Sequence, residues 1–257
     1  MIENIGQAQV WAIAAIVFGA AFLLTGLIYW LVFKLGRNIN IEISPGFFTP
    51  VSVTFGLIIG FLASQVWSDN SRAISAVMRE ASALKTIVSV SEIFPEPTQK
   101  MLDSSVVNYI ERSVNTEWPA MQKVTSYHGL IDYSDNAGLR EVISITPQNE
   151  AQSSAKQQLL AAYTTLYEAR SERLLLSGTS VNPLKWLIVN AFAVILMLIT
   201  ALVHRNNKKS AMVSLALLSL AISLSYILIL AHDRPFTGYI SISPDLLLSA
   251  KPKLHSQ

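Results

Sequence analysis

The 257-residue chain contains no cysteine. Disulfides, thiolate nucleophiles and thiolate metal sites are therefore excluded, and cysteine usage gives no redox compartment. Charge is also scarce: Asp, Glu, Lys and Arg make up 14% of the residues, against about 25% in soluble domains. The shortage is local, because four windows are nearly free of charge and the rest is ordinary. Inside those windows no Asp, Glu or Arg lies at mid-depth. Proton pumps and ion-coupled transporters depend on such groups, which argues against active transport. Catalytic patterns are missing too. His128, His204, His232 and His255 are scattered, with no metal-ligand spacing. No serine lies in G-x-S-x-G, and there is no phosphate loop. His232 and Asp233 are adjacent in sequence, which does not bring side chains into triad geometry. No enzyme activity, metal or cofactor is expected. The net charge of +2 is too small to argue for nucleic acid.

What is present is apolar: 51% of residues are hydrophobic, and the mean hydropathy is +0.42. The first window, Gln9 to Phe33, is free of charge and has Trp11 at one end and Tyr29, Trp30 and Phe33 at the other. Its length crosses about 30 Å of hydrocarbon, and aromatics at both ends form the expected interfacial belt. MIENIGQAQ lacks the basic flank of a secretory signal, so this run is read as a retained transmembrane helix. The second window runs from Phe47 to Trp67, with Pro50 suited to its first turn. The third runs from Pro183 to Val203, with Lys185 able to snorkel near its start. The fourth runs from Ala211 to Ala231. Four soluble buried helices are a poor alternative, since none would have a polar face.

Between spans two and three, residues 68–182 hold 10 of the 19 basic and 13 of the 17 acidic residues. The first piece, to about Ser91, continues span two without Gly or Pro. Ala73, Val77, Leu84 and Val88 form its apolar stripe, and Arg72, Arg79, Glu80 and Lys85 are expected mostly elsewhere. FPEPT (94–98) stops it, and Pro97 starts a second helix to about Val124. Thr125 to Asn149 reads as a loop. A third helix runs from Glu150 to Leu176, with Leu159, Tyr163, Leu166 and Leu174 at helical spacing and Gly178 as its C-cap. The expected fold class is an all-α membrane protein, four transmembrane helices with a helical extramembrane domain between spans 2 and 3. Its divisions are 1–67, spans one and two; 68–182, the extramembrane domain; 183–231, spans three and four; and 232–257, the tail.

Four spans place loops 34–46 and 204–209 on one side. They carry Lys34, Arg37, Arg205, Lys208 and Lys209. Basic short loops prefer the cytoplasm, which favours an extracytoplasmic insert. Arg72, Arg79, Arg170, Arg173, Lys185 and Arg234 flank the spans on the opposite side and weaken that bias.

Four stretches, in this order, carry a family resemblance: GLIIGFLASQVWSDNSRAISAVMREASAL, FPEPTQKMLDSSVVNYIERSVNTEWPAM, ARSERLLLSGTSVNPLKWLI and LAHDRPFTGYISISPDLL. The chain from Phe47 to Leu247 resembles the bacterial bestrophin-like membrane proteins. The most specific element is DRPF-x-G followed by I-x-[VI]-SP, and E-W-P at Glu117 to Pro119 supports it. The resemblance implies kinship to bestrophins, pentameric anion channels with four transmembrane segments per subunit. It therefore implies a homo-oligomer, a pentamer by analogy, in a bacterial inner (plasma) membrane, with an anion as the permeant species. It also implies a cytoplasmic insert, against the short-loop charges.

On span two, Gly56, Gly60, Ala63 and Trp67 share one face, where small residues let another helix approach. The opposite strip is Thr54, Ile58, Phe61, Gln65, Ser68 and Arg72. In a ring of subunits it would line a pore, with Ile58 and Phe61 as an apolar constriction and Arg72 as an electropositive mouth. The competing reading is ordinary packing with Ile and Phe facing lipid. Asn190, Thr200, Ser214, Ser219, Ser223 and Ser225 are expected to hydrogen-bond locally or between helices. After span four, Pro235 ends the helix. Arg234 reaches headgroups or the last carbonyls, Phe236 anchors in the interface, and Gly238 permits a turn. Asp233 is a candidate partner for a base of the insert, Arg72 or Arg173. Two functions follow: a passive, bestrophin-like ion channel, or a non-conducting membrane scaffold or sensor whose insert binds a partner.

Overall fold

The computed structural model describes residues 2–35, 44–123, 137–237 and 240–252. Nine α-helices are seen among them: α1 (Ile2–Trp30), α2 (Phe48–Ser91), α3 (Glu96–Arg112), α4 (Trp118–Lys123), α5 (Ala137–Ser144), α6 (Glu150–Ser177), α7 (Pro183–Val203), α8 (Lys208–His232) and α9 (Asp245–Leu248). A π-helical turn extends α1 through Leu31–Leu35, and a second, Ser113–Glu117, joins α3 to α4. No strand occurs among the described residues. The expectations for Arg37, His128, Gly238, His255 and residues 125–136 lie outside the described residues.

Among the described residues, four helices are long and apolar enough to cross a membrane: Trp11–Lys34, Phe48–Ser91, Pro183–Val203 and Lys208–His232. The chain is thus an all-α, multi-pass membrane protein. It forms two compact units. The first comprises Met1–Ser68, Ser180–Asp233 and Gly238–Ile240, and the second Asp69–Thr179, Arg234–Thr237 and Ser241–Gln257.

In the first unit α1, α7 and α8 pack on one another. The core holds Ile28, Phe55, Leu62, Val66, Val189, Leu196, Leu215, Ile222 and Ile229. Asn182 caps α7 by accepting from the Leu184 amide at 2.8 Å, with Pro183 in the first turn where its missing N–H costs nothing. Asn207 caps α8 on the Ser210 amide at 3.1 Å. Polar side chains in these spans mostly bond backbone carbonyls one turn back, as Thr200 and Ser225 do. Ser219 also meets Thr25 of α1, and the Tyr226 hydroxyl donates to Asn190 at 3.2 Å. The Lys185 ammonium donates to Gln65 Oε1.

The second unit is organised around residues 69–91 of α2 and the whole of α6. Its core includes Ala73, Val77, Leu84, Ile87, Leu102, Val106, Ile110, Leu159, Leu166 and Leu174. Asn149 caps α6 on the Gln152 amide at 2.8 Å. Gly178 is the C-cap, in the right-handed region (φ −91°, ψ −3°), so its freedom for positive φ is not used. Part of the expected 125–149 loop is the helix α5. Its glycine is an asset there: a Cβ on Gly138 would collide with the Tyr163 ring. Ala137, Leu139, Arg140 and Glu141 are good helix formers, and the fully buried Val142 anchors the helix.

Candidate functional site

Two groups of residues have the placement a functional site needs. The first is α2 within the first unit. Its buried side is Phe55, Leu62 and Val66. Thr54 and Gln65 are exposed, Ile58 is half-buried, and Phe61 is 74% exposed. Gly56 and Gly60 are also exposed, and nothing in their own subunit stands within 4 Å of where their Cβ atoms would be. Among the described residues, no other helix of the chain stands within 4 Å of those positions. Arg72, in the second unit, is exposed and pairs with Glu172 of α6 at 3.4 Å and Asp69 at 3.9 Å.

The second group is a buried charge network that sequence reading missed. Arg173 of α6 is wholly buried. Its Nε donates to Glu80 Oε2 at 2.6 Å, and its Nη2 donates to Glu80 Oε1 at 2.9 Å and Glu117 Oε2 at 2.7 Å. Nη1 reaches Met121 Sδ at 3.5 Å, and the guanidinium lies 4.8 Å over the Trp118 ring. Arg170, one turn earlier, donates its Nε to Glu117 Oε1 at 2.9 Å. The Tyr109 hydroxyl donates to Glu80 Oε1 at 2.6 Å.

The electrostatics follow from this geometry. Burial disfavours the Glu117 carboxylate, but Arg173 and Arg170 outweigh it and hold its pKa below the ordinary value. Burial likewise works against the Arg173 cation, and Glu80 with Glu117 more than reverses it. Burial and the Glu80 charge push the Tyr109 phenol well above its usual range, and burial takes Tyr163 to about 12. Both phenols are neutral donors at any physiological pH.

The expectation that Glu80 lies off the apolar stripe is corrected: it is wholly buried between Val77 and Leu84. The signal was available. Positions 73, 77, 80, 84 and 87 form one helical stripe, and so do 159, 163, 166, 170, 173 and 177. A charge inside such a stripe marks a buried partner.

The network borders a cavity of about 210 Å³ lined by Ser105, Tyr109, Arg112, Glu141, Tyr163 and Tyr167 among others. The tail closes the same core. Phe236 is 1% exposed and meets Trp118 edge-on at 5.8 Å. The Trp118 indole donates to the Ile242 carbonyl at 3.1 Å. Phe236 is therefore a core residue and not an interfacial anchor, because the Trp118 face offers it a closed apolar site. Pro235 is buried and its carbonyl accepts from the Ile242 amide at 2.9 Å, while Arg234 is exposed. Asp233, in the first unit, accepts from the Val181 amide at 2.8 Å. Of its two proposed partners, Arg173 is held by Glu80 and Glu117, and Arg72 by Glu172.

A family model described as the Bestrophin-like domain matches residues 15–247. No curated protein matches the chain in sequence. Among solved structures, a bacterial bestrophin homolog from Klebsiella pneumoniae carrying a point mutation shares 12% identity with a TM-score of 0.70, over 93% of this chain and 96% of that one. Another structure of a Klebsiella pneumoniae homolog gives 12% identity and a TM-score of 0.67, over 92% and 95%. A crystal structure described only as a mutant membrane protein reaches 0.72 at 12% identity, over 92% and 96%. At these identities the likeness is one of fold.

Proposed function

The chain belongs to the bestrophin-like family, and from that premise we propose that it is an oligomeric, passive membrane channel conducting anions along the exposed face of α2. One observation carries the reading: Phe61 is 74% exposed on a helix that also leaves Thr54, Gln65, Gly56 and Gly60 open. Polar and glycine positions on a membrane helix find their use against another protein surface or water. In a ring of subunits, Thr54 and Gln65 supply polar rings, and Ile58 and Phe61 an apolar constriction. Gly56 and Gly60 seat a neighbour's helix, and Arg72, paired with Glu172 and Asp69, continues the strip beyond the span. The lack of mid-depth acids and bases fits passive movement. The fold shared with bacterial homologs supports a bacterial plasma membrane as its location.

The test is chloride efflux from liposomes with wild-type protein and Phe61→Ala. Removing the ring from a constriction should raise the flux several-fold. If folded, inserted protein of both kinds passes no chloride, the conducting reading is wrong. In that case the second reading gains, a scaffold or sensor whose insert binds a partner at the Tyr109–Tyr167 cavity. The cysteine-free sequence also makes the side of the insert readable. A single cysteine at exposed Ser82 is labelled from outside intact cells if short-loop charge governs topology. It is labelled only after permeabilisation if the bestrophin arrangement does.

A further inference from the structure

We propose that Glu172 sets the ionic preference of the path by cancelling, together with Asp69, the charge of Arg72 and Arg79; the inference rests on the channel reading above. Arg72 and Arg79 lie seven residues apart on α2, nearly two turns, so their side chains leave the helix on about the same side. Both guanidinium groups converge on one carboxylate. Arg72 Nη2 is 3.4 Å from Glu172 Oε1, and Arg79 Nη2 bonds Glu172 Oε2. Asp69 lies 3.9 Å from Arg72. The side chains are 58% exposed at Arg72, 51% at Arg79 and 27% at Glu172. Ser75, between the two arginines, and Ser82 and Thr86, beyond them, are exposed on the same helix.

Exposed ion pairs contribute little to stability, so the arrangement is poorly explained as a brace. Its clear effect is on charge. Two cations and two carboxylates make the cluster neutral, on the helix whose face forms the proposed path. Losing Glu172 leaves it at +1 per subunit, and losing Arg79 leaves it at −1. One charge about 5 Å from a passing ion, screened at about 0.1 M salt, changes its local concentration about twofold, and a ring repeats it in every subunit.

The experiment is the reversal potential in planar bilayers under a KCl gradient. It compares wild type, Glu172→Gln, Arg79→Gln and the double variant. Glu172→Gln should raise the chloride-to-potassium permeability ratio about threefold or more, Arg79→Gln should lower it, and the double variant should return towards wild type. The differences should shrink as salt rises, which a merely structural disturbance would not produce. Currents with an unchanged ratio in both single variants overturn the role of Glu172 and leave the channel reading standing. Absence of current from every protein, wild type included, overturns the channel reading and this inference with it.

Discussion

Arg173 holds two carboxylates, a thioether and an aromatic face at once. A buried ion pair of this kind adds little over a well-packed apolar replacement, yet breaking it strands an uncompensated charge. Its effect is best seen through Glu117, whose pKa is lowered by Arg173 and Arg170 against the opposing effect of burial. A carboxyl with a depressed folded pKa adds stability that is present above its unfolded value, about 4.3. That stability is lost as pH falls through the folded value. Glu117→Gln should therefore cost about 2 kcal/mol near neutral pH and flatten the acid limb of the stability profile. Thermal unfolding in detergent between neutral and acid pH measures both; an acid limb as steep as wild type would contradict the assignment. At this scale the sequence was half legible. Leu159, Tyr163, Leu166 and Leu174 are buried as their spacing requires, and the charges on the same stripe were passed over. Asp233 and Phe236 stood out as a motif, but their contacts, the Val181 amide and the Trp118 ring, lie far off in sequence.

The elements were easier to read than their partners. The third span begins and ends where hydropathy and Pro183 put it, and α2 runs on past its membrane window because nothing after Gly60 breaks it. The π turn Ser113–Glu117 was not legible. It sits just before Pro119, which cannot donate a helical hydrogen bond and crowds the carbonyl four residues back. A widened turn accommodates this and leaves Glu117 buried against the arginines. Helix α5 was hidden because Gly and polar residues dominate its approach, although Ala137, Leu139, Arg140 and Glu141 favour a helix and Leu139 and Val142 share a face. Gly138→Ala tests this element. In an open helix Ala would stabilise by up to about 1 kcal/mol. Here its methyl meets the buried Tyr163 ring, so we expect a loss of about 1–3 kcal/mol. Chemical denaturation reads the sign directly.

For the whole molecule, the open glycines of α2 call for a neighbour. Gly60→Leu probes that neighbour, because among the described residues a Cβ there meets nothing within 4 Å outside α2's own backbone. It should shift the particle to smaller assemblies by native mass spectrometry, and an unchanged mass would remove the glycine face from the interface. Residues 234–237 and 241–257 belong to the same compact unit as 69–179, as two crossings between them require. That return of the tail also orders events in time. Phe236 and Ile242, which close the Trp118 side of this core, are translated after both later spans. While the ribosome is still making α7 and α8, the nascent insert holds an unfinished apolar pocket beside its buried charges. The second unit therefore cannot complete its core until both later spans have been translated, and a ribosome stalled after span four would leave that core unsealed.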